Sequence, residues 1–137
     1  MGEYDKYFYT EKDGITGPIL HPEIKEKTIK VDKGKLGEFG ISWEPIMHPF
    51  TMIDHSHKHD YGQILAFVSN NLKDLFDFDA EIELHLGGEK HIITESTIVY
   101  IPGGTLHCPL IIRRVGKPFL FNNMYFTAEY MARTEDK

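Results

Sequence analysis

HSHKHDYGQ at residues 55–63 and PGGTLH at residues 102–107 are the two stretches from which the architecture of this chain follows. The first places His57 and His59 two positions apart and ends on Gln63, and the second carries His107 on a Pro-Gly-Gly turn. Imidazole nitrogens bind divalent metals, a carboxamide oxygen is a weaker neutral ligand, and a glycine turn permits close approach. The two stretches therefore predict the halves of one metal site, formed by His57, His59, Gln63 and His107.

Around these stretches the chain has the pattern of short β-strands. Apolar Phe39, Ile41 and Trp43 alternate with polar or small residues, and residues 53–59 put three histidines on one parity. Glycine and proline at 87–88, 102–104 and 116–118 separate further apolar runs. This spacing predicts eight or nine strands in an all-β sandwich or barrel, with the histidines of residues 53–59 on one strand face.

The domain organisation follows from where this strand pattern starts and stops. We expect a single domain over residues 1–137, with an N-terminal arm at 1–30, a β-barrel at 31–126 and a short polar tail at 127–137. The aromatic arm is expected to cross its own barrel or a second subunit, and a partly ordered tail is the alternative. The connection at 69–80 is expected to pack down through Leu75, Phe76 and Phe78.

Both histidine stretches resemble the two sequence motifs of the cupin superfamily. The first cupin motif has His-x-His, three or four residues and then Glu, and this chain has His57-Lys58-His59 followed by Gln63. The second motif, Pro-x-Gly-x-x-His, matches residues 102–107 in full, although the Asn that often follows it is absent. The resemblance covers residues 31–126 and implies a jelly-roll barrel with one internal mononuclear metal site, often in a dimer. The likeness of the histidine run to the metallo-β-lactamase motif is superficial, because Asp60 follows the last histidine instead of preceding it.

Gln63 is the informative departure from the cupin pattern. A Glu would cancel one positive charge of a bound divalent ion, so Gln63 leaves a stronger Lewis acid that is held less tightly and offers no general base. Three histidines and a carboxamide suit Fe, Mn, Ni, Zn or Cu. Two alternatives to this metal site are open. Gln63 could form only hydrogen bonds within the barrel, or the histidines could lie in a loop that binds no metal.

The resemblance implies an enzyme that acts on a small organic molecule by oxygenation, isomerisation or decarboxylation at the metal. The sequence shows no evident acid or base beside the ligands, which favours the alternative of a non-catalytic cupin that binds or senses a sugar or an organic acid. A third reading is an inert barrel whose N-terminal arm mediates assembly.

Further residues near the two motifs are candidates for the pocket. His55 is placed at the barrel mouth, and Tyr61 either donates a proton or packs. Trp43, Phe67 and Phe121 line a pocket or belong to the core. Three more residues, all near the second motif, are weaker candidates: Cys108, expected to be a buried thiol facing away from His107, and Arg113 and Arg114, of which one at most can reach an anionic substrate.

Charge and composition narrow the partners. The chain has a net charge of −6 and no basic cluster, which argues against nucleic acid and anionic membranes. No apolar run reaches the ~20 residues of a membrane span, and residues 1–6 lack the apolar core of a signal peptide. The single cysteine gives no intramolecular disulfide. These features predict a cytoplasmic protein that binds a small molecule. We also expect a homodimer, since the arm is aromatic and the stretch 64–68 is apolar.

Overall fold

Two antiparallel β-sheets form the structure, a computed structural model that describes residues 2–17 and 21–126. The strands within these residues are β1 (Ile29–Val31), β2 (Phe39–Ile46), β3 (Phe50–Ile53), β4 (Gln63–Ser69), β5 (Ala80–Leu86), β6 (Glu89–Ile93), β7 (Thr97–Ile101), β8 (His107–Val115) and β9 (Phe119–Phe126). Two single-turn 3-10 helices, Asp5–Tyr7 and Glu11–Asp13, lie in the N-terminal arm. The predicted tail at 127–137 lies outside the described residues.

The strands pair as a nested ribbon, which is the topology of a jelly roll. The hairpin β5–β6 turns at Gly87 and Gly88, both with positive φ, and the pairs β4–β7, β3–β8 and β2–β9 follow outward. The sheet orders are β1-β2-β9-β4-β7 and β3-β8-β5-β6. The predicted all-β jelly roll is therefore confirmed, as an open two-sheet sandwich.

The apolar core lies between the two sheets. Its most buried side chains, each less than 2% exposed, come from both sheets: Phe67, Ile46, Ile82, Leu84, Ile101, Leu110 and Ile112. Phe67 contacts Phe121 with ring centroids 5.2 Å apart. Of the three residues expected to pack the connection down, Phe78 packs on this core, whereas Leu75 and Phe76 are 49% and 77% exposed. The expected packing of Leu75 and Phe76 is therefore wrong.

Two strand predictions need correction. The strand expected over residues 53–59 ends at Ile53, and His57 instead forms an isolated antiparallel bridge with His107. On β2 the predicted period of two is present, but the apolar parity faces away from the core. Register pairs Ser42 with Asn123 and Glu44 with Phe121, inside the sandwich, whereas Trp43 lies on the outer face. Trp43 therefore belongs neither to the core nor to the internal cavity.

Residues 2–17 and 21–126 contain no helix of the length and apolarity that crossing a membrane requires.

Candidate metal centre

Three imidazole rings from the two predicted stretches meet at one end of the sandwich. The ring centroid of His57 lies 4.9 Å from that of His59 and 4.3 Å from that of His107, and the rings of His59 and His107 are 5.2 Å apart. Backbone hydrogen bonds in both directions between His57 and His107, of 2.9 and 2.8 Å, fix the two segments together. The turn at Gly104, with φ of +82°, donates its N–H to the His59 carbonyl at 2.6 Å. The folded chain thus brings together residues separated by about fifty positions in sequence.

Two buried polar atoms in this cluster have no hydrogen-bond partner among the described residues. His107 is 3% exposed, and its Nδ1 lies 2.9 Å from the Thr105 carbonyl oxygen, to which it donates. That bond leaves the lone pair of Nε2 free, and Nε2 has no partner. Gln63 Nε2 donates to Asn123 Oδ1 at 2.9 Å, which leaves Gln63 Oε1 also without a partner.

These unpaired atoms test whether a metal fits the site. A buried acceptor without a partner costs about 1–3 kcal/mol, so such atoms are rare in native proteins and call for an explanation. An imidazole nitrogen and a carboxamide oxygen are both neutral donors that divalent transition metals accept. The second nitrogen of His107 and the amide of Gln63 are each held by a partner, as is usual for metal ligands. The residues present therefore fit a divalent ion.

The histidines open into an internal cavity of about 330 Å³. Its wall includes Tyr61, whose ring stacks on His59 at 4.6 Å between centroids with 8° between planes. Phe121 contributes to the wall and to the core, whereas Phe67 belongs to the core alone. Small-molecule sites have volumes of about 300–1,000 Å³, so the cavity suits a small ligand.

Glu44 is a cavity residue that sequence reasoning missed. It lies on the inner face of β2, where its Oε2 accepts a hydrogen bond of 3.0 Å from Ser42 Oγ. The strand alternation carried a signal for it, since Ser42 and Glu44 share a parity opposite to that of Trp43. The cavity that the histidines line therefore also contains a carboxylate, although the sequence showed no evident acid or base beside the ligands. Lys30 and Asp32, paired at 2.6 Å, also border the cavity.

Cys108 faces the site instead of pointing away from it. A φ of +78° at this residue breaks the strand alternation after His107. The thiol lines the cavity, and potential ligand atoms of His57, His107 and Cys108 all lie within 4.8 Å of one another. The thiol is 3% exposed, as expected, but the predicted direction of its side chain is wrong. Burial raises the pKa of the thiol to about 11, so it is protonated at neutral pH.

Burial sets the protonation of the other groups. It lowers the pKa of His59 and of His107, and the neighbouring His57 lowers both further. These two imidazoles are therefore neutral at pH 7, the form that binds metals. Burial raises the pKa of Tyr61, with a contribution from Asp60, so this phenol keeps its proton.

The remaining predicted residues lie outside the cavity. His55 is exposed, with its Nδ1 2.9 Å from Asp54 Oδ1, and it borders an adjoining hollow at the mouth. Arg113 donates to Glu83 at 2.7 Å, and Arg114 donates to Asp79 at 2.8 Å. Neither arginine reaches the cavity, so their suggested contact with a substrate is not supported.

The fold is similar to those of several solved structures. The chain is similar to KdgF from Halomonas sp., with a TM-score of 0.51 and 13% identity over 83% of this chain and 88% of that one. It is also similar to the Cnp3 cupin domain of Schizosaccharomyces pombe, with a TM-score of 0.51 and 9% identity over 79% and 65% of the two chains. No protein-family model matches the sequence, and no curated protein matches it significantly.

A jelly-roll sandwich with a histidine cluster at one end defines the class of protein. The chain has the cupin fold, as its two motifs predict.

Proposed function

We propose that this cupin binds one divalent transition metal through His57, His59 and His107, with Gln63 as a fourth, neutral ligand. The observation that carries the proposal is the pair of buried, unpaired atoms, His107 Nε2 and Gln63 Oε1, beside three converging imidazoles. The donor set suits Fe, Mn, Ni, Zn and Cu alike. The metal would act on a small organic molecule held in the cavity, by oxygenation, isomerisation or decarboxylation.

The chemistry divides between the ion and the chain. When bound, the ion supplies Lewis-acid stabilisation of the negative charge that develops on a substrate oxygen. Thr105 and Asn123 hold the ligand atoms of His107 and Gln63 in place through their hydrogen bonds. Leu65, Leu110 and Phe121 form an apolar part of the cavity wall, against which the carbon skeleton of a small molecule would pack.

Glu44 and Tyr61 supply the proton chemistry in this proposal. The Glu44 carboxylate, held by the Ser42 hydroxyl, accepts a proton from the substrate, and the Tyr61 hydroxyl, which keeps its proton at neutral pH, donates one. Glu44 is also the reason that we favour an enzyme over a binding or sensing cupin, because it supplies a proton acceptor on the wall of the cavity.

Metal analysis tests the proposal directly. Protein purified without chelator, and apoprotein reloaded with each candidate metal in turn, is expected to hold about one ion per chain. His57→Ala and His107→Ala are expected to lose it, whereas His91→Ala, a histidine on β6 far from the cluster in sequence, is the matched control and should retain it. Wild-type protein that binds none of the metals would refute the proposal.

A second pair of variants distinguishes His59 from Cys108 as the third protein ligand. Both His59 and Cys108 lie beside His57 and His107, but a thiol with a pKa of about 11 is a poor ligand unless the metal deprotonates it. We expect His59→Ala to weaken Co²⁺ binding strongly and Cys108→Ala to leave it unchanged. If the Co²⁺-loaded protein instead has a sulfur-to-metal charge-transfer band in the near ultraviolet, Cys108 is the ligand.

We also propose that the protein is a homodimer, and its cytoplasmic location stays a prediction from composition. The N-terminal arm also contacts the barrel: Lys30 N–H donates to the Ile15 carbonyl at 2.6 Å, and Tyr9 Oη donates to the Lys35 carbonyl at 3.2 Å.

A further inference from the structure

His55 has the hydrogen bonding of a metal ligand, although it lies outside the ligand cluster. Its Nδ1 donates to Asp54 Oδ1 at 2.9 Å, which leaves the lone pair of Nε2 free to bind a cation. His107 has the same arrangement, with its Nδ1 held by the Thr105 carbonyl oxygen. His57 follows it more loosely, since its Nδ1 lies 3.5 Å from the His55 carbonyl oxygen. Histidines that bind metals ordinarily donate their other ring N–H to a carboxylate or carbonyl oxygen in this way.

His55 differs from the proposed ligands in its exposure. The side chains of His55 and Asp54 are 72% and 84% exposed, whereas His107 is 3% exposed. A hydrated ion can therefore meet His55 in solvent, but it reaches His107 only after it has lost water molecules. Moving an ion out of water costs several kcal/mol, and the cost is spread over smaller steps if protein ligands replace the waters one at a time. An exposed imidazole beside a buried site is suited to the first of these replacements.

The imidazole rings form a continuous series from the solvent to the buried nitrogen. The ring centroid of His55 lies 5.4 Å from that of His57, which lies 4.3 Å from that of His107. A metal about 2.1 Å from an imidazole nitrogen is about 3.2 Å from the ring centroid, so two rings that share an ion are at most about 6.4 Å apart. Both separations are within this limit. The spacing therefore allows His57 to bind an ion before His55 releases it.

A hollow beside His55 adjoins the internal cavity. It has a volume of about 580 Å³, and Asp54 and His55 line it. His21, Met52 and Ile53 line both this hollow and the cavity. The imidazole and the thioether among these shared residues are further groups that transition metals accept. The mouth of the cavity is thus lined by groups that a metal ion can contact on its way inward.

Charge at the mouth also favours the approach of a cation. Asp54 and Asp60 flank the histidine run and Lys58 offsets one of them, so residues 54–60 carry a net charge of −1 when the histidines are neutral. The net charge of the whole chain, −6, has the same sign. A negative surface raises the local concentration of a cation and its association rate.

We infer that His55, positioned by Asp54, is the entry ligand of the metal centre, which binds the incoming divalent ion at the mouth and passes it to His57. The inference rests on the proposed metal site, because an entry ligand has no role where no ion is bound. It gives a role to the one histidine of the run that the four-ligand site does not include. Since the same path serves entry and release, His55 sets the rates of both and leaves the equilibrium affinity unchanged.

Metal-loading kinetics of the full chain test the inference. Stopped-flow mixing of apoprotein with Co²⁺, followed by the visible absorption of the bound ion, measures the loading rate. Mixing of Co²⁺-loaded protein with excess EDTA measures the release rate, and calorimetry measures the dissociation constant. In His55→Ala we expect loading and release each to be about tenfold slower, with an unchanged dissociation constant. Asp54→Asn removes the carboxylate that holds His55, and it should slow both rates by a smaller factor.

His91→Ala is the matched control. His91 forms the same type of pair, with its Nε2 3.2 Å from Glu89 Oε1, and its side chain is 50% exposed. It borders a separate hollow, which Leu84 and Val99 also line. The variant should load and release Co²⁺ at the rates of wild type. Because His55 is exposed, we expect His55→Ala to fold, and an unchanged dissociation constant verifies that its metal site is native.

The outcomes separate this inference from the proposed metal site. A wild type that binds none of the candidate metals overturns both. Unchanged rates in His55→Ala, or equal slowing in His91→Ala, overturn the entry role and leave the metal site. Unchanged loading with faster release in His55→Ala, and hence weaker affinity, also overturns the entry role, because His55 would then be a permanent ligand.

Discussion

The variant His107→Leu should be more stable than wild type without metal and less stable than wild type with metal. In the metal-free protein the substitution removes an unpaired buried acceptor, Nε2, which costs about 1–3 kcal/mol. It also removes the hydrogen bond from Nδ1 to the Thr105 carbonyl, worth about 0.5–1.5 kcal/mol. The difference makes the metal-free variant more stable than wild type by about 1 kcal/mol.

Metal changes the balance by mass action. At a free metal concentration of about 100 times the dissociation constant, wild type gains about 2.7 kcal/mol. A variant that binds about 100-fold more weakly gains only about 0.4 kcal/mol under the same conditions. Wild type should then be the more stable protein by about 1.3 kcal/mol.

Urea unfolding followed by circular dichroism measures both orders. The two proteins are compared once with EDTA and once with Zn²⁺ or Ni²⁺, and His91→Leu, a change at an exposed histidine, controls for metal binding elsewhere. Equal metal-induced stabilisation of wild type and His107→Leu would refute the reasoning. So would a metal-free variant several kcal/mol less stable than wild type, since the Nε2 atom would then have a stabilising role of its own.

Three further predictions concern the support of the site, the charge cluster on the second sheet and the core. Asn123→Ala frees the Gln63 carboxamide from its 2.9 Å hydrogen bond, and metal affinity measured by calorimetry should fall by about tenfold; an unchanged affinity would mean that Gln63 is not a ligand. The partners His85 and Arg113 lower the pKa of Glu83 to about 2 from 4.5, so its carboxylate stabilises the fold fully above pH 4.5, and this contribution is lost as the pH falls towards 2. Glu83→Gln should therefore melt below wild type at neutral pH, with a difference that disappears near pH 2, and a difference that does not depend on pH would contradict this. Phe67→Ala, at a fully buried position, should lower the free energy of unfolding in urea by about 3–5 kcal/mol. Leu72→Ala, at a position that is 91% exposed, should lower it by less than about 0.5 kcal/mol. Similar losses for the two variants would be inconsistent with the core described here.

The period of the strands and the position of the histidines followed from sequence, but the direction of the faces did not. Alternation on β2 is as regular when its apolar side faces outward as when it faces the core, so Trp43 was placed inside. The sandwich resolves the ambiguity because its interior holds a polar cavity at this end. Ser42 and Glu44 face that cavity, and the apolar parity is left outside.

Local backbone geometry accounts for the other errors. A regular strand at 53–59 would have aligned His55 with the ligands, but the chain leaves the sheet after Ile53 and only His57 returns to pair with His107. Cys108 was expected to point away from its neighbour, and a single positive φ turns it into the cavity. Neither a strand end nor an isolated left-handed residue has a sequence signature here, since Cys108 is not a glycine.

The nested ribbon has a kinetic meaning as well as an architectural one. Its innermost hairpin, β5–β6, closes over two residues, whereas each outer pair joins segments progressively more distant in the chain. Loop-closure entropy favours assembly from this hairpin outward, and such non-local topologies fold in milliseconds to seconds. The bridge between His57 and His107 lies between the pairs β4–β7 and β3–β8, so the ligands converge only after the innermost hairpin and the pair β4–β7 have formed. In a nascent or partly unfolded chain the three histidines are therefore far apart. Tight metal binding is expected only once the strands between and around them have paired.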